Sequence, residues 1–515
     1  MIDIRTNLRE WNEYWDHIKS IYEKSRLEIS TGENTVHGFR SPDRNHLRFR
    51  DNIYMLPVTV YLDSSPRSLV DFILGTQSSN GAYMDYLDLD GSVRECPLTP
   101  DMQYLAVYAA FHAWLASGDN EWLSSILPKL QLGLDHLHIN PDTWDEKTDL
   151  PKRPFTIDMW DFDYRGNLSE LHWPGKIDEE TKFGIMHGDV SGLYQAYELM
   201  SIMLHSLDRV DDAGGFHLLK NDLRHLANRI LFMDAHYIHR LPLDGKFLDS
   251  IHEDEQLSIS NLFSVNRGLP DPHQSRLIVR EYYRRRNLVK TFVEWYAIEP
   301  GFPAGTFGDD KMEPGMYVNG GLLPIAGGEL ALASIKYGYP DYGAHILQRY
   351  FTMIDKTGES WFWYGPRGKP PDDFTASWFD GWKYDCWGAS SMMNALIQSM
   401  AGVRCERPGY SQVWLEPHWN ITGVIDAEVT MEFEESGDRF HYLYKYDEDK
   451  KRTRIEINSE NLRTLYIAVS DALESYTIES AGKTLNGEII IRDYSRAIEV
   501  EVESGHEIKI EIMES

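Results

Sequence analysis

The chain has 515 residues, of which 42% are hydrophobic and 26% are charged, as in a globular protein with a large core. Its formal net charge of −30 argues against nucleic acids and anionic membrane surfaces as partners, because both are bound by clustered Lys and Arg. The three cysteines are widely spaced and form neither a disulfide framework nor a zinc pattern, so no metal or cofactor is predicted.

The N-terminal segment MIDIRTNLREWNEYWDHIKS is polar, and no apolar stretch of a secretory signal follows it. The chain also contains no apolar run of about 18 residues, the length a membrane-spanning helix needs. We therefore expect a cytoplasmic protein. The sequence does not predict its oligomeric state.

Residues 1 to about 405 are predicted to be mainly helical, because apolar residues recur at helical spacing between Gly, Asp and Pro boundaries. The clearest segments are DMQYLAVYAAFHAWLASGD (101–119), DVSGLYQAYELMSIMLHSL (189–207), GGELALASIKYGYPDYG (327–343) and GASSMMNALIQSMAGV (388–403). Long connections rich in Trp, Pro, Gly and Asp separate them, and connections of that length are usually functional. Such a series fits a closed ring of helical hairpins with its loops gathered as a cup at one end.

After Pro408 the hydrophobic pattern changes to a period of two residues. Alternating segments separated by short turns predict an antiparallel β-sandwich with one face of each sheet solvated. They are AEVTMEF (427–433), FHYLYKY (440–446), TRIEINS (453–459), TLYIAVS (464–470), GEIIIRD (487–493) and AIEVEVES (497–504). We therefore predict a helical domain over residues 1–405 and a β domain over residues 406–515.

One stretch, ESWFWYGPRGKPPDDFTASWFDGWKYDCWG (359–388), holds five tryptophans and five carboxylates. Sugars present C–H faces that stack on aromatic rings and hydroxyls that need carboxylates and amides. The stretch therefore favours a carbohydrate pocket, although Trp387 is expected to plug the ring of helices instead.

Three groups of motifs resemble glycoside hydrolases. FRDNIYML, followed by PLTPDMQYLAVYAAFHAWLASGDNEWL and DMWDF, resembles the glucoamylase type, whereas CWGASSMMNALIQSMAGVRCERPGYSQVWLEPHW resembles the last barrel helix of α-L-rhamnosidase-type enzymes. YVNGGLLPIAGGELALASIKYG is similar to a segment of six-hairpin glycosidases. Together the motifs span most of residues 45–417. The resemblance implies a six-hairpin (α/α)6 barrel followed by a C-terminal antiparallel β-sandwich.

Glycosidic bond cleavage needs two carboxyl groups, and the enzymes that this chain resembles invert the anomeric configuration, with carboxyls about 6.5–9.5 Å apart. The segment DMWDFDY offers Asp158, Asp161 and Asp163 beside aromatic rings that raise a carboxyl pKa. By its place in the motif, Asp161 is the predicted general acid and Asp163 the second choice. The glucoamylase-type pattern has glutamate at position 161, however, and a solvated loop remains the alternative.

Glu359 is the predicted base, because the resembling families carry an acid roughly 25 to 30 residues before the last barrel helix. A glutamate at a helix end that faces solvent is the alternative interpretation. Competing acids are Asp372, Asp373, Asp380 and Glu329.

The remaining candidates would bind the sugar. Arg50 and Asp51 offer paired, charge-assisted hydrogen bonds, and Asp189 is either a helix cap or a hydroxyl ligand. The predicted substrate-binding residues are Arg50, Asp51, Trp160, Asp163, Asp189, Asn319, Trp361, Trp363 and Trp382. The acidic run IHEDEQLS (251–258) lacks calcium-loop spacing and is predicted to begin a solvated helix.

The sequence thus predicts an inverting, exo-acting glycosidase for small oligosaccharides, of the α-glucosidase or glucoamylase type. An α-L-rhamnosidase-like specificity is the near alternative. A sugar epimerase or isomerase, a polysaccharide lyase, a phosphorolytic relative and a non-catalytic carbohydrate-binding protein remain open.

Overall fold

The computed structural model describes residues 1–32, 34–42, 44–94, 100–154, 182–243, 250–289, 291–307, 313–371, 382–492 and 495–515. Twelve α-helices lie within these residues, and none of them is both long and apolar enough to cross a membrane. They are α1 (Arg9–Ser25), α2 (Phe49–Thr59), α3 (Pro66–Gly75), α4 (Asp101–Ser117), α5 (Asn120–Ile139), α6 (His187–Ser206), α7 (Val210–Ile230), α8 (Ser260–Arg267), α9 (Pro272–Arg285), α10 (Pro324–Lys336), α11 (Pro340–Thr357) and α12 (Cys386–Ala395).

The even-numbered helices form a closed inner ring, in which each helix packs against the next and α12 packs against α2. The odd-numbered helices lie outside this ring and pack against it. The sequence explains the two layers, because α4 is apolar and buried on nearly every side, as expected of a core helix. The outer helix α1 instead buries one stripe of residues spaced three or four apart, including Trp11, Trp15, Ile18 and Tyr22.

The connections between helices differ sharply in length at the two ends of the ring. Those that lead from an outer helix into the N-terminus of an inner one are long: 26–48, 76–100, 140–186, 231–259, 286–323 and 358–385. Those that lead from an inner helix to the next outer one are short: 60–65, 118–119, 207–209, 268–271 and 337–339. We call the N-terminal ends of the inner helices the long-loop end and their C-terminal ends the short-loop end.

The described strands form four pairs and one three-stranded sheet within the loops, and two larger sheets. They are β1 (Ile2–Thr6), β2 (Arg26–Thr31), β3 (Asn34–Phe39), β4 (His46–Arg48), β5 (Tyr86–Asp88), β6 (Val93–Arg94), β7 (Trp144–Asp145), β8 (Leu150–Pro151), β9 (Gly184–Ile185), β10 (Leu241–Pro242), β11 (Leu257–Ser258), β12 (Ile298–Glu299), β13 (Val403–Arg407), β14 (Gln412–Leu415), β15 (Asp426–Glu432), β16 (Arg439–Asp447), β17 (Arg452–Ser459), β18 (Thr464–Ala468), β19 (Leu473–Ser480), β20 (Lys483–Thr484), β21 (Glu488–Arg492), β22 (Ser495–Glu501) and β23 (Ile508–Glu514).

The larger sheets lie in the C-terminal part of the chain. One has the order β1-β15-β16-β17-β23-β19-β20 and is antiparallel throughout, and the other has the order β13-β14-β18-β22-β21. β14 and β18 run parallel, so the second sheet departs from the all-antiparallel prediction. The N-terminal strand joins the first sheet, with Ile2 opposite Met431, and thereby ties the start of the chain to the C-terminal segment.

One predicted helix is interrupted in the structure. Residues 327–343 contain the end of α10 and the start of α11 instead of a single helix. The break has two local causes: Gly338 adopts a left-handed backbone with φ of 96°, and Pro340 cannot continue a preceding helix because it lacks an N–H.

Candidate active site

The long-loop end gathers buried charged residues on the first turns of the inner helices. Arg50 and Asp51 lie on α2, Asp101 on α4 and Asp189 on α6, and all four side chains are buried. A helix N-terminus carries a partial positive charge from its free N–H groups and therefore stabilises carboxylates there. The sequence thus sets this arrangement, because it places each of the three aspartates in the first turn of its helix.

Two arginines and two aspartates form a continuous network at this end. Arg50 Nε lies 2.5 Å from Asp101 Oδ2. Arg153, which precedes α6, binds Asp189 with two nitrogens, Nε at 2.7 Å and Nη2 at 2.5 Å, and its Nη2 lies 4.0 Å from Asp101. Tyr104 also donates a hydrogen bond of 3.2 Å to Asp189. Asp189 is therefore not the helix cap, which is Met186.

Arg153, the arginine at the centre of this network, is fully ionised. Burial favours the neutral guanidine, but the neighbouring carboxylates Asp189 and Asp101 outweigh it and raise the pKa of Arg153. A bidentate pair of this kind fixes the geometry of both side chains. Since the pair is 1% exposed, its charges interact with little screening from water.

A third acid–arginine pair lies beside an aromatic ring. Arg44 is ion-paired with Asp51, and its guanidinium lies 4.1 Å above the ring of Trp382. Trp382 packs edge-on against Phe362, with ring centroids 5.1 Å apart. The structure thus brings together two residues that the sequence predicted separately, Asp51 and Trp382, through an arginine that it did not predict.

Asp385 adds a carboxyl group with an unusual pKa. It is the N-cap of α12, and its Oδ2 accepts a hydrogen bond of 2.8 Å from the backbone N–H of Gly388. Burial, with a smaller contribution from the charge of Asp51, raises the pKa of Asp385 to about 7, although the Gly388 hydrogen bond and Arg44 oppose the rise. The group therefore exchanges its proton near neutral pH.

The predicted base, Glu359, lies at the rim of this region. It follows Gly358, the C-cap of α11, and its side chain is 29% exposed and 4.0 Å from Lys383 Nζ. The neighbouring Gly358 carbonyl accepts a hydrogen bond from Lys24 on the outer helix α1. Glu359 therefore lies between the end of the outer helix α11 and Lys383, which precedes the inner helix α12.

Three other predicted residues take part in packing. Trp361 and Trp363 are buried, and the Lys383 ammonium lies 4.7 Å from the Trp361 ring. Asn319 is also buried, and its amide accepts from the Phe302 backbone N–H at 2.6 Å and donates to the Phe302 carbonyl at 3.2 Å. These contacts hold the 286–323 loop in place.

Several predicted residues lie outside the described part of the chain. They are Asp158, Trp160, Asp161, Asp163, Asp372, Asp373 and Asp380. The competing acid Glu329 is described and lies on α10, partly buried, and accepts a hydrogen bond of 2.6 Å from Asn266 Nδ2. It lines a cavity at the opposite end of the ring.

Sequence reasoning missed Arg44, Asp101, Arg153 and Asp385. Asp101 could have been found, because an aspartate that opens a strongly apolar helix was visible in PLTPDMQYL. Arg153 gave no such signal, since its partner is 36 residues away in the chain. The prediction of a solvated helix start at 251–258 was wrong: the segment contains a turn followed by strand β11, and Glu253 is buried 3.5 Å from Arg240.

The described residues contain one cluster with the composition of a cation site, formed by Glu13, His17 and Asp355. It lies on the outer helices α1 and α11, away from the long-loop end. Arg9 already pairs with both acids of the cluster, so their charge is largely balanced by protein groups.

No known family profile and no curated protein matches this sequence. Solved structures do match its fold. The α-L-rhamnosidase from Dictyoglumus thermophilum aligns with a TM-score of 0.62 and 13% identity over 100% of this chain and 50% of its own. The Streptomyces avermitilis α-L-rhamnosidase, solved with L-rhamnose, aligns with a TM-score of 0.60 and 15% identity over 99% of this chain and 42% of its own.

A third match is the GH63 mannosylglycerate hydrolase from Thermus thermophilus, solved with Tris and D-glycerate. It aligns with a TM-score of 0.51 and 11% identity over 74% of this chain and 99% of its own. The chain spans half or less of the two rhamnosidases but nearly all of the GH63 enzyme's length. The protein therefore has the six-hairpin (α/α)6-barrel fold of these glycoside hydrolases.

Proposed function

We propose that the protein is a glycoside hydrolase whose active site lies at the long-loop end of the barrel. The observation that carries this proposal is the set of acid–arginine pairs on the first turns of the inner helices, of which one, Arg44–Asp51, lies beside Trp382. Neutral hydroxylated substrates need charge-assisted hydrogen bonds and an aromatic face, and this arrangement supplies both. The shared fold with three glycoside hydrolases supports the same reaction class.

In the proposed mechanism, two carboxyl groups act on opposite sides of the scissile bond with inversion of configuration. Asp161 would protonate the leaving oxygen, and Glu359 would activate the attacking water. Glu359 is partly exposed, 4.0 Å from Lys383 Nζ, so water can reach its carboxylate. The buried Asp385, with a pKa of about 7, is the described carboxyl that we propose to exchange a proton with the site.

Sugar recognition is assigned to Arg50, Asp51, Arg44 and Trp382. The ion pair between Arg44 and Asp51 holds both groups in fixed orientations before substrate arrives, which lowers the entropic cost of binding. Trp382 would contact the C–H face of the terminal sugar. We propose exo-action on small oligosaccharides, with the terminal sugar bound by these four residues.

Two substrate classes are proposed. α-L-Rhamnosides are supported by the alignment of two α-L-rhamnosidases with nearly the whole chain. α-Glucosides are supported by the glucoamylase-like sequence around Arg50 and Asp51. Both are α-glycosides with an axial leaving group, so the same pair of carboxyls would serve either class.

The test is proton NMR of the anomeric region during incubation with aryl α-L-rhamnosides, α-D-glucosides and α-D-mannosides. Cleavage with the opposite anomer appearing first is the expected result and establishes inversion. Appearance of the same anomer first would contradict inversion but would still demonstrate hydrolysis. A new sugar identity without bond cleavage would replace the proposal with an epimerase or isomerase, and saturable binding without turnover would indicate a carbohydrate-binding protein.

A further inference from the structure

A cavity of 450 Å³ opens at the short-loop end of the barrel and extends through the ring to the first turns of α10 and α12. Every inner helix contributes to its wall, through Tyr54, Tyr108, Tyr194, Arg267, Glu329 and Asn394. Trp387, on the first turn of α12, lines it and stacks on Tyr54 with ring centroids 5.3 Å apart. The cavity therefore extends deep into the ring and has the volume of a small-molecule site.

The described side chains that line this cavity carry an excess of positive charge. The cations are Lys220, Arg224, Arg267, Lys336, Arg404, Arg407 and Arg492, and the carboxylates are Glu198, Glu329 and Glu406. Seven cations against three carboxylates leave an excess of four positive charges, in a chain whose net charge is −30. A local reversal of this size attracts anions to a surface that otherwise repels them.

Three of these arginines have no described carboxylate within 4.0 Å. Arg267 donates to Tyr54 Oη at 2.7 Å, Ser191 Oγ at 2.9 Å and the Gly188 carbonyl at 3.0 Å. All of these acceptors are uncharged, so the guanidinium has no ion pair within 4.0 Å, and the carboxylate that interacts with it, Glu329, lies farther away on the same cavity wall.

Arg224 and Arg407 have the same kind of environment. Arg224 donates to Tyr194 Oη and to the Gly268 carbonyl, the C-terminal end of α8. Arg407, on β13, donates to the Glu406 carbonyl at 2.9 Å. Buried or half-buried cations are normally paired with a carboxylate or another anion.

Helix dipoles explain only part of this charge. The C-terminus of α8 carries a partial negative charge that accounts for Arg224 and Arg267. Arg407 lies on a strand, and its pKa is lowered by burial, with a smaller contribution from the charge of Arg492, although the charge of Glu406 opposes this. The local carboxylate Glu406 is shared by Arg404 at 3.0 Å and Arg492 at 2.7 Å, so it cannot neutralise the whole group.

We propose that this cavity is a binding site for a small anion that carries a phosphate or carboxylate group. The arginine forks at its mouth match the oxygens of such a group and would be neutralised by it. The uncharged polar residues deeper in the wall, Tyr108, His112 and Gln195, would bind the hydroxyls of an organic anion. The proposal is independent of the glycosidase activity and concerns the opposite end of the barrel.

The test is isothermal titration calorimetry of the full chain with inorganic phosphate, and separately with acetate, in a low-salt buffer free of both. Saturable binding is expected, weakened about tenfold or more by Arg407→Gln and by Arg224→Gln, because each removes a charge-assisted hydrogen bond. The matched control is Arg286→Gln. Arg286 is also half-buried, stacks 3.6 Å from the Tyr283 ring, lacks a described carboxylate partner and does not line the cavity.

The relative strengths of phosphate and acetate binding distinguish the two anion classes within the proposal. The proposal is overturned if neither anion binds saturably, or if Arg286→Gln weakens binding as much as the cavity variants do. Binding of the neutral polyol xylitol with equal strength in wild type and in Arg407→Gln would also overturn it, because a polyol site does not depend on that charge. Circular dichroism of each variant confirms that the fold is retained, and Arg407→Gln, at the cavity mouth, is the variant least able to disturb it.

Discussion

The two ends of the barrel use arginine in opposite ways. At the long-loop end, Arg44, Arg50 and Arg153 each face a buried aspartate on the first turn of an inner helix. At the short-loop end, Arg267 and Arg407 donate only to uncharged oxygens among the described residues. Arginine side chains are thus ion-paired with aspartates at the long-loop end, whereas Arg267 and Arg407 have no described ion-pair partner at the short-loop end.

Helix direction explains much of this difference. The N-termini of the inner helices stabilise carboxylates, which then recruit arginines from the long loops. The C-termini stabilise cations directly and leave them without carboxylate partners. Removing one member of a buried ion pair strongly destabilises the fold, because the other charge stays buried without its partner. Removing a cation that has no carboxylate partner changes stability much less.

The largest effect is expected from Arg153→Gln. This change leaves Asp189 with a buried charge that has lost its bidentate partner, and we expect a loss of about 3–5 kcal/mol in the free energy of unfolding. Urea denaturation measures it. The control is Arg209→Gln, which breaks an exposed pair with Asp212 and should change stability by less than about 1 kcal/mol. If both changes lowered the free energy of unfolding equally, the buried Arg153–Asp189 pair would not differ from an exposed ion pair.

The next effect concerns the pH dependence of stability at the long-loop end. Because the pKa of Asp385 is raised to about 7, the folded protein keeps a proton that the unfolded chain releases near its ordinary pKa of about 3.9. Stability contributed by this group therefore falls as pH rises from about 4 to about 7.

Asp385→Asn keeps the side chain neutral and can still accept from the Gly388 N–H. The fall in unfolding free energy between pH 5 and pH 8 should therefore be smaller in the variant than in wild type, by up to a few kcal/mol. Urea titrations at the two pH values measure the difference. Identical falls in both proteins would show that Asp385 does not titrate in this range.

A moderate effect is expected at a short connection. Asp271 caps α9 in a capping box, accepting from the Gln274 N–H at 2.8 Å while Gln274 accepts from the Asp271 N–H at 2.9 Å. Asp271→Ala should cost about 1 kcal/mol, and Asp271→Asn should cost less because asparagine also caps well. Thermal unfolding of the two variants provides the comparison, and the reverse order would rule out the capping role.

The smallest effect on stability is expected from Arg407→Gln in buffer without phosphate or carboxylate. Its charge has no described carboxylate partner, so the unfolding free energy should stay within about 1 kcal/mol of wild type. A loss as large as that of Arg153→Gln would show that the two ends of the barrel do not differ in their use of arginine.

The sequence predicted the helical ring because its signal is local. Apolar spacing within one segment indicates a helix such as α4. Contacts between distant segments left no such signal: the pairing of Ile2 with Met431 and of Arg153 with Asp189 depends on the completed fold.

The tryptophans show a second limit of prediction from sequence. The sequence placed Trp361, Trp363 and Trp382 together as rings for a sugar, and the structure buries the first two. Only Trp382 lies against an acid–arginine pair. Composition can identify a segment rich in rings, but the backbone conformation decides which ring faces the core, as the left-handed backbone of Trp382, with φ of 71°, illustrates.

The most direct test of the central claim is the kcat/KM of Asp51→Asn for the best aryl glycoside of the panel, beside that of wild type and of Asp212→Asn. Asp212 is an exposed aspartate near the start of α7, and α7 begins just after a short connection. Its substitution therefore removes the same charge at the short-loop end. We expect Asp51→Asn to lower kcat/KM by about 100-fold or more, as the loss of a charged sugar contact does, and Asp212→Asn to leave it unchanged. Equal kcat/KM for Asp51→Asn and wild type would contradict an active site at the long-loop end.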